Sequence, residues 1–180
     1  NIDTRAVSVI KTLDITSSIP FTSFGGGAID KATKRLLVSS FNSSDTLVAI
    51  DLETYEHQVL NITSTGQSLS GIVDIALNAS GNKLYLLSQA QGAVYQLDLE
   101  TNIATAIVTE CFNLANQNML DINYTTAHNL VYNEPTNSLF ATSNAVIEVN
   151  LADNSCTAYG NNTIANFDIS ATADNSLLVT

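Results

Sequence analysis

At 180 residues the chain is long enough for one sizeable domain. It is 45% hydrophobic but only 13% charged, about half the usual charged share of roughly 25%, so Asn, Ser and Thr must carry its solubility, as in many secreted and cell-surface β proteins. A formal charge of −11 with six Lys plus Arg leaves no basic footprint for nucleic acid and opposes an anionic membrane surface, and no run of 18 apolar residues offers a membrane span.

In chain order, residues 6–13 read as an outer β-strand, because "NIDTRAVSVI" (1–10) matches "AIDLETYEHQVL" (49–60) from its Asp onward. Three units then line up, at 25–63, 71–108 and 127–160, and a fourth starts at 166–180. Each opens with an apolar run closing on or next to a turn: "GAID", "DIALN", "NLVYN", "DISAT". The turns "KATKR", "ASGNK", "EPTNS" and "ADNS" are rich in residues that favour tight reversals. A β-rich run follows ("LLVSS", "LYLLS", "LFATS", "LLVT"), then an alternating one ("LVAIDL", "AVYQLDL", "VIEVNL"). A last strand closes the unit: "HQVLNI", "IATAIV" or "CTAYG". Helical periodicity is poor throughout, with "TECFNLANQNML" (109–120) as the one stretch that suits a helix.

Four short antiparallel strands per 40–50-residue unit is the pattern of an all-β β-propeller, here about 3.5–4 four-stranded blades. One blade cannot bury both of its faces, so blades repeat around an axis. The echo of "LVAIDLET" (47–54) in "VYQLDLET" (94–101) then marks the end of a third strand and the turn into the outermost one. In it, Ile50 and Leu97 pack between blades, and Asp51 and Asp98 brace the turn. Two readings of the whole remain: a small four-bladed ring closed by the strand at 6–13, or a segment of a propeller of about six to eight blades. The segment is preferred, since domains seldom stop inside a strand.

The units resemble the YVTN-type β-propeller repeats of bacterial and archaeal surface and periplasmic proteins, and the related NHL and lactonase types. The resemblance rests on the G-x-x-x-apolar … "GNKLYL" strand pair and the V-x-x-I-D-x-x-T turn, and it covers nearly the whole chain. The WD type does not fit, as the chain has no Trp. The resemblance implies an exported protein, in an extracellular, periplasmic or cell-surface setting.

The default ligand face of a propeller gathers the loops entering the inner strands and those between second and third strands. Its candidate contacts here are Asn42, Asp45, Gln89, Gln91, His128 and Asn144, suited to neutral hydrogen bonding with a glycan or peptide. "GGG" (25–27) lacks the Lys-Ser/Thr of a phosphate loop and reads as a close backbone approach. No Ser-His-Asp spacing or G-x-S-x-G elbow is present. The expectation is therefore a non-catalytic module without a cofactor, binding a partner protein or glycan or self-associating. The alternative is a lactonase-type hydrolase with channel-bound calcium at Asp74, Asn129 and Asp168, which hold similar inner-strand positions. Sequons stand at Asn42, Asn61, Asn78, Asn123 and Asn161, with the loop sites Asn42 and Asn78 preferred. Cys111 and Cys156 fall near outer strands of neighbouring units; a disulfide and two separate thiols are both open.

Overall fold

A computed structural model describes residues 23–41, 46–66, 69–115, 117–121, 129–142, 145–160, 169–171 and 177–179. The first sheet is an antiparallel meander of β1 (Phe24–Asp30), β2 (Arg35–Ser40), β3 (Thr46–Asp51) and β4 (His57–Asn61). The second holds β6 (Ile72–Leu77), β7 (Lys83–Ser88), β8 (Ala93–Asp98) and β9 (Ile103–Val108) in the same succession. The third repeats it with β12 (Leu130–Asn133), β13 (Ser138–Thr142), β14 (Val146–Asn150) and β15 (Ser155–Tyr159). The pair β16 (Ile169–Ala171) and β17 (Leu177–Val179) starts a fourth. The first strands touch in order, β1 with β6, β6 with β12 and β12 with β16, so they line a common axis. The protein is an all-β chain with the β-propeller fold.

A second regularity lies at the rim. After β4, the short β5 (Thr63–Thr65) leaves its own sheet and pairs in parallel with β9 of the next. After β9, β10 (Glu110–Asn113) does the same with β15. Among the described residues, the first and second blades thus each hand a fifth strand to their successor. In the second instance β11 (Asn118–Asp121) folds back antiparallel on β10. The stretch 109–120, whose sequence suits a helix, is therefore largely a β-hairpin. The reason is non-local: β10 takes its hydrogen bonds from β15, and a disulfide joins Cys111 to Cys156 with their Cα atoms 4.6 Å apart.

Period-two alternation explains how the blades stack. In the second sheet, Ile75, Leu84, Leu86, Tyr95 and Leu97 face the first blade and meet Leu37, Leu47 and Ala49. The other side, with Tyr85, Leu87, Val94 and Val108, meets Leu130, Leu139, Ile147 and Val149 of the third. Tyr85 stacks on Tyr132 across that interface, ring centroids 6.1 Å apart. The middle blade is apolar on both faces, which is why β7 reads "LYLL" rather than alternating.

The repeated Asp-Leu-Glu-Thr turn is built alike twice. Asp51 Oδ1 accepts from Glu53 N (2.8 Å) and Thr54 N (2.7 Å). Asp98 Oδ1 accepts from Glu100 N (3.0 Å) and Thr101 N (2.9 Å). Both turns close on a residue in the left-handed region, Tyr55 (φ 58°) and Asn102 (φ 57°). The triple glycine serves the contact between inner strands. A Cβ on Gly26 would fall 2.6 Å from Asp74 Cα, and one on Gly25 would fall 2.1 Å from Ile72 O, so a side chain at either would push β1 off β6.

Candidate functional site

A polar residue recurs at the end of the first three inner strands, and two of the three, Asp30 and Asn78, hold the turn that follows, each in its own way. Asp30 is buried at the end of β1. Its Oδ1 accepts from Ala32 N (3.0 Å) and Thr33 N (3.2 Å), and its Oδ2 accepts from Thr33 Oγ1 and from Arg35 Nη2 (3.3 Å). Burial works to raise the Asp30 carboxyl, but the bonds from Thr33, Arg35 and Ala32 outweigh it and hold the group below the ordinary value of 3.8. Asn78 follows β6: its Oδ1 accepts from Lys83 N (3.0 Å), and its Nδ2 donates to Ser80 Oγ (2.8 Å) and Asn82 Oδ1 (2.9 Å). Asn133 ends β12 and is also buried.

The turns that follow these residues converge on a cleft of about 350 Å³. Ile29, Asp30 and Lys31 supply one wall, Leu77 and Asn78 another, and Glu134 a third. Ile29 is 58% exposed, a large apolar side chain presented to solvent at the mouth of the propeller. Gly81 lies against Asp30: a Cβ there would come within 3.2 Å of its Oδ1, and the φ of +74° favours glycine as well. Asp30 and Asn78 are already bonded within their turns, and the cleft sets the apolar side chains of Ile29 and Leu77 among polar groups, with one exposed cation from Lys31 and one exposed anion from Glu134. That surface suits non-covalent recognition.

This cleft lies at the opposite end of the inner strands from the loops expected to bind. Of those loop residues, Gln89 and Gln91 are described. Gln89 N donates to Gly71 O (2.8 Å), and Gln91 Nε2 reaches Ser70 Oγ (3.4 Å), so the loop after β7 is tied to the chain entering β6. Asn42, Asp45, His128 and Asn144 lie outside the described residues. The cleft was missed from sequence because its members sit in turns that look merely structural. The signal was Ile29, an apolar residue at a strand end, beside a polar residue recurring at that end of each inner strand.

Two of the three proposed calcium ligands are described, and the fold brings them to one place. Asp74 Oδ2 accepts from Leu130 N (2.7 Å), the residue after Asn129, and Asp74 Oδ1 accepts from Ile75 N (2.8 Å). Asp74 thereby joins the second blade to the third beside the axis. Asp168 lies outside the described residues. Among the described residues, no three His, Cys, Asp or Glu side chains gather as a group fit to hold a metal ion. Of the sequons, Asn61 and Asn78 are described, and Asn42, Asn123 and Asn161 are not.

No family model matches the chain, and no curated protein matches it. Solved structures do. One from a nidogen/laminin complex aligns with a TM-score of 0.64 at 12% identity, over 86% of this chain and 55% of the other. An auxiliary nutrient binding protein from Bacteroides thetaiotaomicron aligns at 0.58 and 14% identity, over 86% and 44%. The hydrazine synthase of Kuenenia stuttgartiensis aligns at 0.59 and 10% identity, over 96% and 45%. The chain spans about half the length of these structures, and at such identities the likeness is one of fold.

Proposed function

We propose that the chain is a non-catalytic β-propeller module of an exported or cell-surface protein, akin to the YVTN-type repeats, that binds a partner protein or glycan. The observation that carries the reading is the cleft at the turn face, where exposed Ile29 stands beside the charges of Lys31 and Glu134. The disulfide between Cys111 and Cys156 supports an oxidising setting, where such bonds persist. Among the described residues no helix is long and apolar enough to cross a membrane. The structural neighbours include an auxiliary nutrient binding protein and a chain from a nidogen/laminin complex, in keeping with recognition.

The test presents the purified chain to arrays of immobilised glycans and peptides, and in parallel to lactone and phosphoester substrates with calcium. The reading expects binding to one ligand class, lost in Ile29→Asp and Lys31→Glu, and no turnover above buffer. It also expects a chelator to leave the melting temperature unchanged while Asp74→Asn lowers it. Calcium-dependent hydrolysis, with chelation lowering both turnover and melting temperature, would favour the hydrolase at Asp74, Asn129 and Asp168 instead.

A further inference from the structure

Two described sequons look alike in sequence, and the fold separates them. Asn61-Ile62-Thr63 crosses from β4 to β5. Asn61 and Thr63 are exposed, while Ile62 between them is buried and anchors the crossing. The Asn61 side chain makes no hydrogen bond among the described residues. It closes the outermost strand of the first sheet, paired with Thr46 on its inner side. Asn78-Ala79-Ser80 is the reverse case. Both polar atoms of the Asn78 amide are bonded within its own turn, and Ser80 Oγ also donates to Asn82 Oδ1 (2.7 Å). Asn78 moreover lines the cleft.

We propose that Asn61 is an N-linked glycosylation site and that Asn78 is not. In the transfer, the Asn61 amide nitrogen forms a bond to the anomeric carbon of the sugar and gives up one proton. The bond from that carbon to the diphosphate of a polyprenyl-linked oligosaccharide donor breaks, and the lipid diphosphate leaves with the electron pair. At Asn61 the substitution breaks no side-chain hydrogen bond among the described residues, and the bulky sugar projects beside the end strand of the described sheet. At Asn78 it would replace an N–H that holds the turn and would fill the cleft. The placement has a physical use. β9 and β15 are each covered by a parallel fifth strand, whereas β4 is the end strand of its sheet among the described residues. A glycan beside an edge strand blocks edge-to-edge pairing with other chains.

The experiment expresses the full chain with a supplied leader through the secretory pathway of a eukaryotic cell, independent of where the protein naturally resides. Site-resolved mass spectrometry follows amidase release of the glycans. The expected result is conversion of Asn61 to Asp, with Asn78 unconverted. Asn61→Gln and Thr63→Val should each remove a single glycan's mass without lowering the melting temperature, and Asn78→Gln should remove none. A folded, secreted chain with Asn61 unmodified would overturn the proposal, and so would a glycan on Asn78.

Discussion

A short polar side chain that bonds to N–H groups two and three residues ahead bends the chain at that point, and this protein uses the device at both ends of its strands. Asp51 and Asp98 do so at the rim and Asp30 does so beside the axis. The three differ in burial, and that difference decides which one matters in acid. Asp51 and Asp98 are partly exposed at the rim, so their lowered carboxyls are screened and contribute little. Asp30 is buried, and its carboxylate holds both the β1–β2 turn and Arg35. Its folded value is depressed, so its contribution is fully present above the ordinary 3.8 and is lost as pH falls through the lower folded value. Asp30→Asn should lower stability at neutral pH and flatten the acid side of the stability profile below about pH 4. Urea titrations at stepped pH check this, and an unchanged acid limb would assign the acid sensitivity elsewhere.

The four-strand units were legible in the sequence because their information is local. Alternation in "LVAIDL" and "VIEVNL", turn residues in "ASGNK" and "EPTNS", and the repeated Asp-Leu-Glu-Thr each act over a few residues. The fifth strands were not legible, because β5 and β10 are defined by partners 40 or more residues away. "TECFNLANQNML" has no strand signature of its own, and only its partner β15 and the bond from Cys111 to Cys156 make it a hairpin. The cleft escaped for a related reason: Ile29, Leu77 and Glu134 come from three units and meet only in the fold. Four of the six expected loop-face residues, by contrast, lie outside the described residues. The hairpin yields a measurable consequence. The disulfide closes a sequence separation of 45 residues, which in the chain-entropy account stabilises by about 2–4 kcal/mol. Reduction, or the double change of Cys111 and Cys156 to Ala, should lower the denaturation midpoint accordingly. Equal midpoints with and without reductant would show that β10 holds to β15 by its backbone bonds alone.

In the assembled molecule the middle blade has no face of its own. Leu84 and Leu86 belong to the interface with the first blade and Leu87 to the interface with the third, all carried by the one strand β7. Asp74 adds a polar tie from β6 to Leu130 in the third blade, and Gly25 and Gly26 let the first blade press against β6 from the other side. Stacked repeats tend to unfold as neighbours coupled through their interfaces, and loss of one interface then frees a terminal unit before the rest. Here the two interfaces share a strand, which favours a single transition. Leu86→Ala and Leu87→Ala should each cost about 2–5 kcal/mol, the usual penalty for emptying a buried leucine site. More tellingly, each should destabilise both neighbours together. Hydrogen exchange read separately at β3 in the first blade and β14 in the third should accelerate to the same degree in both variants. Acceleration confined to β3 in Leu86→Ala and to β14 in Leu87→Ala would show instead that each interface opens alone, with the middle blade standing as an independent wall between them.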